Sequence, residues 1–97
     1  MAMGYEFAPK RTVVAAGLTD SQIESGRSIY VHGMVISNSS GGGTVILEDA
    51  SNNAIHTIQI PAATTIEIRT KWLADTGLQL TTAANTTVVV FHSQGGA

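Results

Sequence analysis

Two runs of the chain are apolar on both of the faces a strand would offer. Ser28–Asn38, SIYVHGMVISN, and Thr86–His92, TTVVVFH, are its longest stretches of strand-forming residues. Side chains alternate between faces along a strand. Read with that period, the first run carries Ile29, Val31, Gly33 and Val35 on one face and Tyr30, His32, Met34 and Ile36 on the other. The second run carries Val88 and Val90 on one face and Val89 and Phe91 on the other. An antiparallel strand with one wet face shows a polar row. Neither run shows one, so both faces need cover. One cover is an opposing sheet; the second is a terminal arm, a loop or another subunit.

The remaining strands are shorter. Met3, Tyr5 and Phe7 fall at strand spacing in an apolar arm, residues 1–11, that ends around Pro9 with Lys10 and Arg11 exposed. Residues 12–97 then read as a single domain. Thr12–Ala16 is a short edge strand. Gly17–Gly26 is a loop or a single helical turn, with Thr19 or Asp20 as its cap and Glu24 reaching back. Asn38–Gly43 is a glycine-rich turn, and Thr44–Glu48 and Ala54–Ile60 form a hairpin around Asp49–Asn53. In that hairpin His56, Ile58 and Ile60 share one phase. Pro61 cannot donate to a ladder and ends the strand. Thr64–Arg69 alternates cleanly, with Ile66 and Ile68 on one face and Thr65, Glu67 and Arg69 on the other. Thr70–Gly77 breaks the alternation, which suggests that Trp72 and Leu73 plug one end of the core. Leu78–Thr82 and Thr86–His92 close the chain ahead of a polar tail. The result is an all-β chain with little or no helix. It reads as about seven strands in a two-sheet antiparallel β-sandwich of jelly-roll or immunoglobulin-like type.

Composition narrows the function classes. Of 97 residues, 43% are hydrophobic and 12% charged, which excludes a disordered chain and leaves few charges to keep separate copies apart. The net charge is −2 and the five Lys and Arg residues are scattered, so no basic footprint for nucleic acid exists. No run approaches the ~20 apolar residues of a membrane helix, and Met1–Arg11 lacks the apolar core of a signal peptide. A soluble, cytoplasmically made protein is the default expectation. The chain has no cysteine, which removes disulfides, thiolate metal sites and a thiol nucleophile.

Candidate chemistry is sparse. His32, His56 and His92 match no compact metal motif and read as partly buried or rim histidines, although near an interface they would make assembly pH-sensitive. Glu48 and Asp49 are adjacent and point to opposite faces, so they are not an acid/base pair. Asp49 with Asn52 or Asn53 lacks the ordered ligand series of a calcium loop. The Gly41-Gly42-Gly43 turn precedes a strand and lacks the Lys-Ser/Thr of a phosphate loop. No serine lies in a nucleophile elbow. The expectation is a non-enzymatic protein with no cofactor and no metal. Trp72 remains a candidate ligand contact, either as a sugar-stacking platform or as core closure.

The stretch Tyr30–Gln94 resembles small virion structural proteins of tailed phages, particularly marine cyanophages. The residues that carry the likeness are a strand ending in ISNSS, the GGG turn, TVILED, IPAATT, LADTGL and the closing VVVFH. That resemblance implies a virion protein that decorates a capsid or joins a tail as a symmetric homo-oligomer, a trimer among the options, in contact with other virion proteins. It carries no site residues. Together with the apolar strands, it makes Met3, Tyr5, Phe7, Tyr30, His32, Met34, Val89 and Phe91 the candidate subunit interface. The alternative is a carbohydrate- or receptor-binding module using Trp72 and its neighbouring loops. A metal protein or enzyme built on the histidines is a third reading.

Overall fold

The computed structural model describes residues 10–74 and 76–94. Met3, Tyr5 and Phe7 lie outside the described residues. Eight strands follow in order: β1 (Lys10–Val14), β2 (Ser21–Ser25), β3 (Ile29–Asn38), β4 (Gly43–Glu48), β5 (Ala54–Ile60), β6 (Thr65–Ala74), β7 (Gly77–Thr82) and β8 (Thr86–Gln94). They form two four-stranded antiparallel sheets, the first in the order β1-β8-β3-β6 and the second in the order β2-β7-β4-β5. β1 pairs with β8, β2 with β7, β3 with β6 and β4 with β5. This is the pairing of one long antiparallel ribbon, folded at the β4–β5 turn and rolled so that successive segments alternate between sheets. Of the two sandwich topologies the sequence left open, the strand order is the jelly roll.

The alternation along β3 is interrupted. On β8, Val31 pairs with His92 and Gly33 with Phe91, so β3 spends one extra residue, His32, where β8 spends none. An inserted residue of this kind is a β-bulge, and it shifts the phase of the strand beyond it. Before the bulge Ile29 and Val31 point inward; after it Met34, Ile36 and Asn38 do. The uninterrupted phase read from the sequence set Met34 and Ile36 opposite Ile29 and Val31. The structure puts all four in one core, Met34 with only 3% of its surface exposed. Met34 is thereby removed from the outward face on which the interface reading placed it.

Gly33 permits the bulge. A Cβ built there would lie 2.7 Å from the main-chain carbonyl oxygen of Ile68, so β3 and β6 approach more closely than any side chain allows. The core so assembled takes Val14, Ile29, Val31, Met34, Ile36, Val88 and Val90 from the first sheet and Val45, Leu47, Ile60, Leu78 and Leu80 from the second.

The inward turn of Asn38 ties one end of the sandwich together. Its Oδ1 accepts from the amide of Gly42 at 2.9 Å and from that of Ala63 at 3.3 Å, and its Nδ2 donates to Thr86 Oγ1 at 2.9 Å. One buried side chain thus joins the β3–β4, β5–β6 and β7–β8 turns. Ala63 has a φ of +52°, a left-handed conformation costing an alanine roughly 1 kcal/mol; the bond to Asn38 helps hold it.

Two local readings are corrected. Gly17–Gly26 contains the strand β2 and no helical turn: pairing with β7 and the packing of Ile23 against the core outweigh a weak capping signal. β6 runs unbroken to Ala74, with Ile66, Ile68, Thr70, Trp72 and Ala74 in the inward row. The polar Thr70 in that row disguised the continuation. Trp72 packs against the core, whereas Leu73 faces out with 38% of its surface exposed.

Two substitutions test this frame. Gly33→Ala forces β3 and β6 apart and should cost about 1–3 kcal/mol in urea unfolding, in the range of an overpacked core. Asn38→Ala strands the amides of Gly42 and Ala63 and should cost at least about 2 kcal/mol. A wild-type unfolding midpoint in either variant would contradict the respective role.

Candidate interaction surface

The bulge that fills the core also composes the outer face of the first sheet. With Met34 and Ile36 turned in, Tyr30, His32, Val35 and Ser37 are left pointing out. Register aligns these with neighbours in rows. Val13, Val89 and Val35 lie side by side across β1, β8 and β3, with Glu67 next on β6. Arg11, Phe91, Gly33 and Arg69 form the adjoining row. Tyr30 sits between Ser93 and Leu73. Because Gly33 has no side chain, that row dips into a depression of 290 Å³ between Phe91 on one side and Glu67 and Arg69 on the other.

The face is apolar at its centre and charged at its borders. Val13 is 64% exposed and Tyr30 43%, while Val35, Val89 and Phe91 are half-buried against one another's flanks. Arg11, Glu67, Arg69 and Lys71 are exposed around them. An apolar centre with a polar rim is the anatomy of a protein contact surface. Of the candidate interface residues, the structure brings Tyr30, His32, Val89 and Phe91 onto this one face. Val13, Val35 and Leu73 belong to it too and were missed. The signal for them is cross-strand register, which a sequence read strand by strand does not contain.

The three histidines do not converge. His32 is exposed on the outer face and shares a 2.7 Å hydrogen bond with Ser93 Oγ. His56 lies on β5, at the mouth of a cleft of 340 Å³ between the edge strands β5 and β6. His92 is buried in the inward row of β8, where its Nε2 is 2.7 Å from Thr12 Oγ1. Among the described residues no group of three or more His, Cys, Asp or Glu side chains is placed to hold a metal ion. Trp72 lines the β5–β6 cleft with Met34, Leu47, Ile58 and Ile68.

The carboxylates are used locally. Asp49 Oδ1 accepts from the amides of Ser51 and Asn53, both at 2.9 Å, and Oδ2 from Asn53 Nδ2 at 3.2 Å. The bonds from Asn53 hold the Asp49 carboxyl below its ordinary range, and both of its oxygens serve the turn. On the outer face of the second sheet, the Thr81 hydroxyl lies 3.0 Å from Glu48 Oε1 and 3.4 Å from Asp20 Oδ1. Burial pushes the Glu48 carboxyl up, and its hydrogen bond with Asp20 and the charges of Asp20 and Asp49 act in the same direction.

No model of a known protein family matches the chain, and no curated protein does. Among solved structures, the chain is similar to structures of infectious bursal disease virus. To the Gx strain structure it is 14% identical, with a TM-score of 0.37. To the VP2 subviral particle it is 10% identical, with a TM-score of 0.33. To the T13 viral particle it is 17% identical, with a TM-score of 0.29. These alignments cover 91–93% of this chain and 27–28% of those chains, so it spans little more than a quarter of their length. The likenesses are distant, and the jelly-roll architecture stands on the strand pairing of the chain itself. No helix of the described residues is long and apolar enough to cross a membrane.

The buried His92 generates a pH dependence. Burial, and then the charge of Lys10, lower its pKa from the ordinary 6.5. The folded chain therefore binds this proton less readily than the unfolded chain. Stability should be unaffected above about pH 6.5 and fall as the pH drops below it. The raised Glu48 has the opposite sign: its ionised form is disfavoured in the fold, and acidification relieves that penalty. Wild-type protein should unfold at lower urea concentration at pH 5.5 than at pH 7.5, and His92→Gln should lose that decline. An equal decline in the variant would assign it to another group.

Proposed function

We propose that the chain is a non-enzymatic structural protein of a phage virion, a jelly roll that self-associates through the outer face of the first sheet and joins a larger capsid or tail assembly as a symmetric homo-oligomer. The observation that carries this reading is the apolar centre of that face, formed by Val13, Val35, Val89, Phe91, Tyr30 and Leu73 and rimmed by Arg11, Glu67, Arg69 and Lys71. Its supports are independent of one another. The low charged fraction gives copies little electrostatic reason to stay apart. The sequence resemblance over Tyr30–Gln94 points to small virion proteins. Jelly rolls serve viral capsids and lectins alike, and a fold alone does not choose between them. The arm residues Met3, Tyr5 and Phe7 are proposed to add to the same contact.

The lectin-like alternative, a carbohydrate- or receptor-binding module, uses the cleft lined by Trp72, His56, Thr70 and Lys71. Trp72 lies in the inward row and packs against the core, so its ring is less available for stacking than one on an open platform. That reading requires the Trp72 fluorescence to shift with glycans.

The experiment is light scattering coupled to size exclusion on wild-type protein and on the variant Val13→Glu/Phe91→Glu. Both positions are solvent-facing, so the variant should keep its circular dichroism. Wild-type protein should run as a multiple of the 10.1 kDa chain, and the variant at half that mass or less. A wild-type monomer at high micromolar concentration would overturn the self-association.

A further inference from the structure

A sandwich of two open sheets has four edge strands, each with a row of unpaired main-chain groups that invites another strand. Here the edges are β1 and β6 of the first sheet and β2 and β5 of the second. Three of them carry charge. β1 holds Lys10 and Arg11, and β6 holds Glu67, Arg69 and Lys71, all exposed. β2 holds Glu24 and is bulged between Gln22 and Glu24. Charges and bulges of this kind keep edges from pairing.

β5 is the exception. Ala54-Ile55-His56-Thr57-Ile58-Gln59-Ile60 contains no Asp, Glu, Lys, Arg or Pro, and five of its seven residues are exposed, Ile58 being half-buried and Ile60 buried. Its one irregularity is a bulge at Ile55, where Glu48 pairs with Ala54 and Leu47 with His56. That leaves His56–Ile60 as five regular residues whose outer edge is paired with no strand among the described residues. Beneath them lies the 340 Å³ cleft between β5 and β6, lined by Trp72, Met34, Leu47 and Ile68. The cleft therefore lies along the side where the edge is unguarded.

We infer that β5 pairs antiparallel with β5 of a second copy of this chain, about a two-fold axis at Ile58, joining the second sheets of the two copies into one continuous eight-stranded sheet. In this register Ile58 faces its own symmetry mate, and His56 faces Ile60 on the inner surface. Thr57 faces Gln59 on the outer surface. Opposed residues of an antiparallel pair stabilise the sheet through such contacts, and like charges placed opposite would oppose it. This register brings together an inner seam of isoleucines flanked by His56 and a hydrogen-bonding outer pair, with no like charges opposed. Each of the other edges would place lysines, arginines or carboxylates at the junction. The pairing also narrows the mouth of both clefts, covering Ile58 and the exposed Ile55.

The β5 contact is separate from the outer-face contact proposed above and does not depend on a virion role. Two independent self-contacts on one chain allow copies to extend beyond a closed pair, which a component of a larger shell or tube needs.

The chain has no cysteine, which makes disulfide trapping selective. Opposed Cα atoms in an antiparallel pair lie ~4.5–5.5 Å apart, within the reach of a disulfide. Ile58→Cys should cross-link to a covalent dimer under mild oxidation, whereas Thr57→Cys, which faces Gln59 and not itself, should cross-link far less. In Thr57→Lys/Gln59→Lys, four lysines meet at the seam while both positions stay exposed in the monomer. This variant should keep its circular dichroism and lose half or more of its sedimenting mass. Combined with Val13→Glu/Phe91→Glu, it should run as a monomer. If Ile58→Cys does not cross-link in protein that is multimeric, or the lysine variant keeps its full mass, the β5 pairing is wrong while the outer-face contact stands. If the wild-type protein is monomeric throughout, both contacts fail.

Discussion

The structure depends on where β3 changes phase. As the central partner of both β6 and β8, β3 must present a continuous apolar row to the second sheet. Without a phase shift its inner row would be either Ile29, Val31, Gly33 and Val35, which has a gap at the glycine, or Tyr30, His32, Met34 and Ile36, which carries an imidazole and a phenol. The bulge at His32 and the close approach at Gly33 combine the better halves. Ile29, Val31, Met34 and Ile36 go in, and Tyr30, His32 and Val35 go out. The same shift turns Asn38 inward, where it fastens three turns at one end of the roll. Core, turn network and outer face thus follow from one inserted residue and one missing side chain.

That choice has a functional side. An outer face with Val13, Val35, Val89, Phe91 and Tyr30 at its centre is costly for a chain that stays alone in water, since it leaves apolar area hydrated. It suits a chain whose face is covered by another copy. The proposal of a structural component rests on this face. The histidines point to three different places, the Asp49 carboxylate is spent on its turn, and Glu48 and Asp20 share the hydroxyl of Thr81.

Much of the fold was legible from alternation and turn chemistry. The β4–β5 hairpin, the end of β5 at Pro61, the final strand and the two-sheet architecture all follow from local signals, because turn residues and period-two rows are local. The phase of β3 was not legible. The side chains around the bulge suit either face and hide it in the alternation, and its one mark, Gly33 inside a strand, does not say which way the phase turns. β2 was hidden because its stability comes from pairing with β7 and from Ile23 in the core, and neither is a local property. The continuation of β6 was hidden by Thr70. Of the residues on the outer face, Tyr30, His32, Val89 and Phe91 were visible as apolar or aromatic positions without a home. Val13 and Val35 became visible only once register set them beside Val89.

The most direct measurement is hydroxyl-radical footprinting of Tyr30, Leu73 and Phe91 as the protein is diluted from high micromolar to nanomolar concentration, with residue-level oxidation read by mass spectrometry. If the outer face of the first sheet is the contact, these three side chains are protected at high concentration and become reactive together on dilution. Core residues such as Met34 stay protected throughout. Equal reactivity of Tyr30, Leu73 and Phe91 at both ends of the range would show that the face is open to water in the assembled protein and would contradict the account.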